Sequence, residues 1–169
     1  MIFIKHFLNM ELFSLEIIQA NTQTLSDILE KAIASPILSY PQICEVDHQG
    51  LNIIFDDNEI LYIGKTNRTG KVRMQELAAD FRSHTFNKKL LSKRFKDLGF
   101  VFEVLKKETK KEWIDKGTLT KEDFKAHQKE VNQYIRQKLK FKFHKVQDER
   151  KLISLEHFAI AVFNPFYND

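Results

Sequence analysis

Glu156 is the first residue in this sequence whose chemistry asks for an explanation. It sits in LISLEHFAIAV, an otherwise apolar helical stripe. A carboxylate on a buried-looking face needs a hydrogen-bonded partner, a counter-charge or a metal ion. Upstream, Tyr62-Ile63-Gly64-Lys65 places a phenol and an ammonium at the end of the apolar run EILYI. A tyrosine in such a run is by itself more often a core or rim residue, and a lysine after a strand is usually solvated. Arg73 follows, three residues before Glu76, so a surface ion pair of little energy accounts for it equally well. Its planar guanidinium is also the side chain best shaped to hold phosphate oxygens in pairs. His84 reads as a surface histidine about as readily as a proton-transfer group.

Two basic sets accompany these residues: Lys88, Lys89, Lys93, Arg94 and Lys96, then Arg136, Lys138, Lys140, Lys142 and Lys145. Both suit contacts to nucleic-acid phosphates, which weaken as salt rises. A solvated basic face is the plainer reading of each. Phe86 and Phe95 interleave with the first set and are expected to pack inward. The other histidines, His48, His127, His144 and His157, have no metal-ligand spacing, and Ser83 and Ser154 lack a nucleophile's context.

The whole chain sets the bounds. Its 169 residues suit one domain with a small appendage. Hydrophobic residues make up 43% and charged residues 30%, and fifteen phenylalanines supply core volume, so a folded domain is expected. A formal charge of +4 permits a nucleic-acid partner without requiring one. Cys44 stands alone, which rules out an internal disulfide and suits a reducing compartment. The apolar start is interrupted by Lys5, His6, Glu11 and Glu16, and no small-residue cleavage site follows. No run approaches the roughly 20 apolar residues of a membrane span. The expected location is the cytoplasm.

The elements follow from local pattern. Residues 12–18 read as a strand or a short helix, and a helix opens at Thr24 and runs to Ala34, before Pro36 and Pro41 force extended chain. Residues 50–56 and 59–63 flank Asp56-Asp57-Asn58 as a hairpin, with Gly64 ending the second strand. Helices are expected over 70–83 and 87–98, the latter closed by Gly99. Residues 100–105 read as strand or helix. Thr120 caps a long helix from Lys121 to about Leu139. Residues 139–146 alternate apolar and basic, as a half-exposed strand does. A last helix over 149–163 stops at Asn164-Pro165. The sum is an α+β domain, a small antiparallel sheet of three or so strands flanked by helices.

The segment GLNIIFDDNEILYIGKT resembles the signature hairpin of the GIY-YIG nuclease family. Gly50, Leu51 and Asn52 stand at the first half of that motif, and Tyr62-Ile63-Gly64-Lys65 matches the second. Arg73 stands where the family has its helical arginine, and His84 near a position that carries histidine or tyrosine. LEHFAIAVFNPFYN resembles the family's final element, with Glu156 at the metal-holding glutamate and Asn168 at the terminal asparagine. The resemblance covers roughly residues 44–100 and 139–169. Residues 1–43 then form an N-terminal extension, 44–169 the nuclease-like domain, and about 100–138 a helical insertion. Asn52 departs from the pattern, since the first motif tyrosine is missing.

The resemblance implies a metal-dependent endonuclease that hydrolyses DNA, double-stranded or branched. Such hydrolysis needs a deprotonated water, a stabilised phosphate and a neutralised leaving oxygen. Glu156 becomes the ligand of Mg²⁺ or Mn²⁺, a hard cation that keeps most of its waters. Arg73 would hold a phosphate oxygen. Tyr62 becomes the general base or water-orienting group; its free pKa near 10 makes it depend on nearby positive charge such as Lys65. His84 would share in proton transfer. Lys65, Arg73, Lys88, Lys89, Lys93, Arg94 and Lys142 become the nucleic-acid contacts. The alternative is a binding module that kept the fold and lost the chemistry, with Asn52 as its main support.

Overall fold

The computed structural model describes residues 14–168. What the sequence led us to expect of residues 1–13 lies outside them. Ser14 caps a 20-residue helix, α1 (Leu15–Ala34), so residues 15–18 are helical and continuous with the stretch that follows. A short helix, α2 (Tyr40–Cys44), interrupts the extended chain expected after Pro36; Pro41 is tolerated there because it lies in the first turn. The hairpin is β1 (Gly50–Asp56) and β2 (Glu59–Thr66). Asp57 turns it with φ of 47°. Then come α3 (Gly70–Leu77), α4 (Thr85–Asp97), α5 (Lys107–Asp115), α6 (Lys121–Gln137), β3 (Lys140–Lys145) and α7 (Glu149–Phe163). Residues 100–105 are neither strand nor helix.

The three strands form one antiparallel sheet in the order β2-β1-β3. One face packs on α1 and α7 through Leu29, Leu51, Ile53, Ile63, Leu155 and Ala159. The other face carries the larger core, with Ile54, Leu61, Met74, Phe86 and Phe141. The expected α+β class therefore holds. The segment 100–138 contributes to the second core rather than standing apart from it. Phe95 of α4 meets Trp113 of α5 and Phe124 of α6, with ring centroids 5.1 and 5.3 Å away.

Two irregularities position the residues of interest. The register of the hairpin shifts between Ile54 and Phe55, so Leu61 has no partner across the strand. Side-chain alternation slips at this bulge. Leu61 and Tyr62 both turn to the larger core, while Ile60 and Ile63 face α1 and α7. The second is Gly70, first residue of α3, whose N–H donates to the Val46 carbonyl at 2.5 Å. A Cβ there would come within 1.9 Å of the Ile43 carbonyl oxygen. Gly70→Ala is therefore expected to push α3, and Arg73 with it, off α2. Overpacking of this kind costs about 1–3 kcal/mol, a loss of several degrees in Tm. A melting curve superimposable on that of the native chain would refute this role.

Candidate active site

β2 lies at the edge of the sheet, where a row of backbone groups has no strand partner. The C-terminal part of the chain fills that row. Asn164 ends α7 in the left-handed conformation, with φ of 44°. The chain then turns back, and the Tyr167 N–H donates to the Leu61 carbonyl at 3.1 Å. Asn168 completes the clip. Its Oδ1 accepts from the Ile63 N–H at 2.8 Å and its Nδ2 donates to the Ile63 carbonyl at 2.6 Å. Two residues along the same edge, the Lys65 N–H donates to Glu156 Oε1 at 2.7 Å.

Glu156 reaches that point because residues 152, 155, 156 and 159 share one face of α7. Leu152, Leu155 and Ala159 are buried, and the carboxylate emerges from between them at the sheet edge. Its second oxygen, Oε2, lies 3.0 Å from Lys65 Nζ. The Glu156 side chain is 15% exposed and that of Lys65 39%. The carboxylate thus has one oxygen fixed by backbone and one facing a solvent-reached ammonium.

Tyr62 approaches from the other face. Its ring packs against His84 and Phe86 at 5.6 and 5.3 Å between centroids. It lies over Gly64, where a Cβ would come within 2.7 Å of the ring and 3.2 Å of the hydroxyl. The glycine of the Tyr-Ile-Gly triplet is the space the phenol occupies. Burial raises the pKa of Tyr62; the Arg73 charge opposes that and the Glu156 charge adds to it. Both charges therefore act on the phenol. Arg73 itself is loosely held, 3.7 Å from Glu76 Oε2, while Arg68 engages Oε1 of the same carboxylate more closely.

His84 is buried, contrary to the reading of a surface histidine. It is the N-cap of α4, and its Nδ1 accepts from the Phe86 N–H at 3.1 Å. Burial, helped by the Arg73 charge, pushes its pKa down to about 3. The imidazole is neutral near neutral pH, so the remaining nitrogen, Nε2, carries the proton. Its Nε2 is thus the ring nitrogen left able to donate.

Asn52 stands opposite Gly64 in the hairpin register and shares the face that carries Tyr62. It is 5% exposed, and its Oδ1 is buried with no hydrogen-bond partner. An orphaned buried oxygen costs about 1–3 kcal/mol and calls for a reason.

Tyr62, Lys65, Arg73, His84, Glu156 and Asn168 thus come together along one edge of the sheet. Five of the seven cations expected to meet nucleic acid do not join them. Lys142 faces α1 and its ammonium donates to the Ile33 carbonyl. Its register partner Ile53 belongs to the α1–α7 face, so strand alternation turns it from the cleft. Arg94 turns to α6, where it pairs with Glu130 and donates to His127 Nδ1. Lys88, Lys89 and Lys93 lie on α4 outside the cleft. Phe86 packs inward as expected and backs the Tyr62 ring; sequence reasoning missed Tyr167, whose ring meets Phe86 edge to face at 5.4 Å. The aromatic pair inside the Pro-x-x-Asn tail was the available signal.

Among the described residues no group of three or more His, Cys, Asp or Glu side chains converges. No described helix is long and apolar enough to cross a membrane. Neither the curated proteins nor the solved structures give a match to this chain. The model of the GIY-YIG catalytic domain matches residues 38–169, starting where Leu38 pairs with Phe141 beside the sheet. That family consists of nucleases that act on DNA and generally use divalent metal ions. Because the match reaches from the Leu38 bridge through the hairpin to the C-terminal clip, the chain belongs to the GIY-YIG nuclease family.

Proposed function

We propose that the protein is a divalent-metal-dependent endonuclease that hydrolyses phosphodiester bonds in double-stranded or branched DNA. The observation that carries this reading is the convergence of Tyr62, Arg73, His84 and Glu156 on one sheet edge from four separate elements. A purely structural account explains any one of them and leaves their meeting unexplained.

The donor set fits a hard cation of one kind. Glu156 gives one oxygen to backbone and keeps Oε2 for a counter-charge, now the Lys65 ammonium. One carboxylate suits an ion that retains its waters, as Mg²⁺ or Mn²⁺ does, and does not suit an all-protein cage. Such an ion, held by Glu156, would stabilise charge on the phosphate and the leaving oxygen. The protein's own residues do the rest. Arg73, free of a tight partner, holds a non-bridging phosphate oxygen through its fork of donors. Tyr62, kept protonated by burial, orients the attacking water through its hydroxyl. His84 donates from Nε2 and adds no charge that would compete with the cation. The lone Cys44, its thiol pKa raised by burial, suits a reducing compartment, and the cytoplasm is the proposed location.

A second reading has its own observation. Asn52 replaces the first motif tyrosine with an amide whose oxygen is orphaned, the mark of a site that has lost a partner. Such a chain would bind DNA without cutting it. Metal removal separates the two. Purified protein is expected to nick or linearise supercoiled DNA in Mg²⁺ or Mn²⁺ and to stop in chelator. Cutting that persists in chelator would refute the metal dependence. No cutting under either condition, with binding that weakens as salt rises, would establish the binding module.

A further inference from the structure

Thr85, Lys88, Lys89, Ser92, Lys93 and Lys96 fall at i, i+3, i+4, i+7, i+8 and i+11, one continuous face of α4. Every one of them offers a hydroxyl or an ammonium. They wall a groove of about 540 Å³ whose opposite side is formed by Glu103–Leu105 and by Phe166 and Tyr167. Four lysines face two carboxylates there. Lys93 is paired with Asp97 at 2.7 Å, and Lys96 lies over the Phe102 ring at 5.6 Å. Lys88 and Lys89 have no ion-pair partner among the described residues.

Phe166 is the anomaly in this groove. Its ring is 64% exposed, while its neighbour Tyr167 is buried and holds it edge-on at 4.9 Å. The backbone is fixed before it by the Asn164 N–H bond to the Ile160 carbonyl, and after it by the Tyr167 bond to Leu61 and the Asn168 clip to Ile63. A rigidly mounted, exposed aromatic ring beside free ammonium groups is a stacking platform with an electrostatic track, the combination that binds unpaired nucleic acid. A duplex keeps its bases stacked inside and has nothing to offer such a ring.

The groove is continuous with the cleft. Thr85 follows His84, which faces Tyr62, and Tyr167 packs on Phe86, which also touches Tyr62. From Lys88 to Lys96 the helix advances roughly 12 Å, so the basic face extends along the strand rather than marking a single point. We propose that this groove holds an unpaired single strand of DNA where it leaves the cleft, with phosphates on Lys88 and Lys89 and a base on Phe166. The proposal rests on the nuclease reading and names its substrate class: a junction between duplex and single strand.

Binding is measured in chelator by fluorescence anisotropy, with a blunt duplex and the same duplex carrying six unpaired nucleotides at its 3′ or 5′ end. One tail polarity is expected to bind at least about tenfold tighter than the blunt duplex, since stacking of one base is worth roughly 5- to 150-fold. Phe166→Ala is expected to erase most of that preference, and its exposure keeps the fold out of the result. Lys88→Ala with Lys89→Ala is expected to reduce the slope of log affinity against log salt by about 1.4, at about 0.7 per single-strand phosphate. Equal binding of tailed and blunt duplexes, or a preference untouched by Phe166→Ala, would overturn the groove. Tighter binding of an RNA tail would overturn its assignment to DNA. Cutting in Mg²⁺, run in parallel, separates the two claims. Cutting without tail preference sinks the groove alone, whereas tail preference without cutting sinks the nuclease reading and leaves the groove.

Discussion

Glu156→Gln is expected to lower the rate of DNA cutting by about 10²–10³-fold, the scale of removing preorganised charge stabilisation at a reacting centre. The substitution is chosen to leave the fold alone. Glutamine keeps the Oε1 that accepts from the Lys65 N–H, so the cap on the β2 edge survives. It removes the negative charge facing Lys65 Nζ, a pair exposed enough on the lysine side that its loss costs less than about 1 kcal/mol. A variant with native-like melting and no activity would assign the carboxylate to the chemistry. Cutting retained within tenfold of the native rate would remove Glu156 from the mechanism. Binding of DNA in chelator, measured on the same two proteins, keeps a loss of affinity from being mistaken for a loss of chemistry.

The second large effect is expected at Tyr62. Its hydroxyl makes no hydrogen bond among the described residues, and its ring is held by His84 and Phe86. Tyr62→Phe therefore keeps the packing and removes only the oxygen. A loss of about 10²–10³-fold in kcat is expected, with melting unchanged. The pH profile then tells what the oxygen does. Burial holds the phenol's pKa above its ordinary value of 10, with Arg73 only partly offsetting it. Between pH 7 and 9 the group is therefore protonated, and an orienting role gives a rate that does not climb because of it. If Tyr62 instead acted as the base, the rate would rise tenfold per pH unit through that range, and the rise would vanish in Tyr62→Phe. Such a rise would overturn the orienting role.

Asn52 bears on both results. In the hairpin register it faces Gly64, the position over which the Tyr62 ring lies. Its orphaned oxygen is therefore on the same face as the phenol, buried, and without a partner. A native rate that is low from the outset, together with the expected losses in both variants, would describe an active but weakened centre. This follows from the loss of one motif group while the other residues still meet.

Much of the fold was legible because it is set locally. The turn at Asp57-Asn58 and the apolar runs beside it specify the hairpin. Thr120 with Asp123 marks the start of α6 through a capping box. The stripe of α7 fixed Glu156 on an inward face before any partner was known. Other local features were read short. β2 continues past Gly64 to Thr66, because that glycine serves the Tyr62 ring rather than ending the strand. α1 begins at Leu15, since a good N-cap at Ser14 and a continuous helical pattern outweigh a strand reading.

What the sequence determined by itself was the inventory: which residues lie on which element, and that a carboxylate, a guanidinium and a phenol were placed where helices and strands could carry them. What only the tertiary structure decided was their direction and company. Asn168 and Ile63 are 105 residues apart, and no local periodicity announces that one side chain will close the edge of the other's strand. Lys142 and Lys88 look alike in sequence, yet strand register turned one under α1 and helix phase left the other facing a groove. His84 changed from a titratable surface group to a neutral buried cap only when burial and the Arg73 charge acted on it. Local pattern is set by the chain's own backbone geometry. A site is set by which faces and edges meet, and in this domain the meeting is fixed by burial and by backbone hydrogen bonds that span the chain.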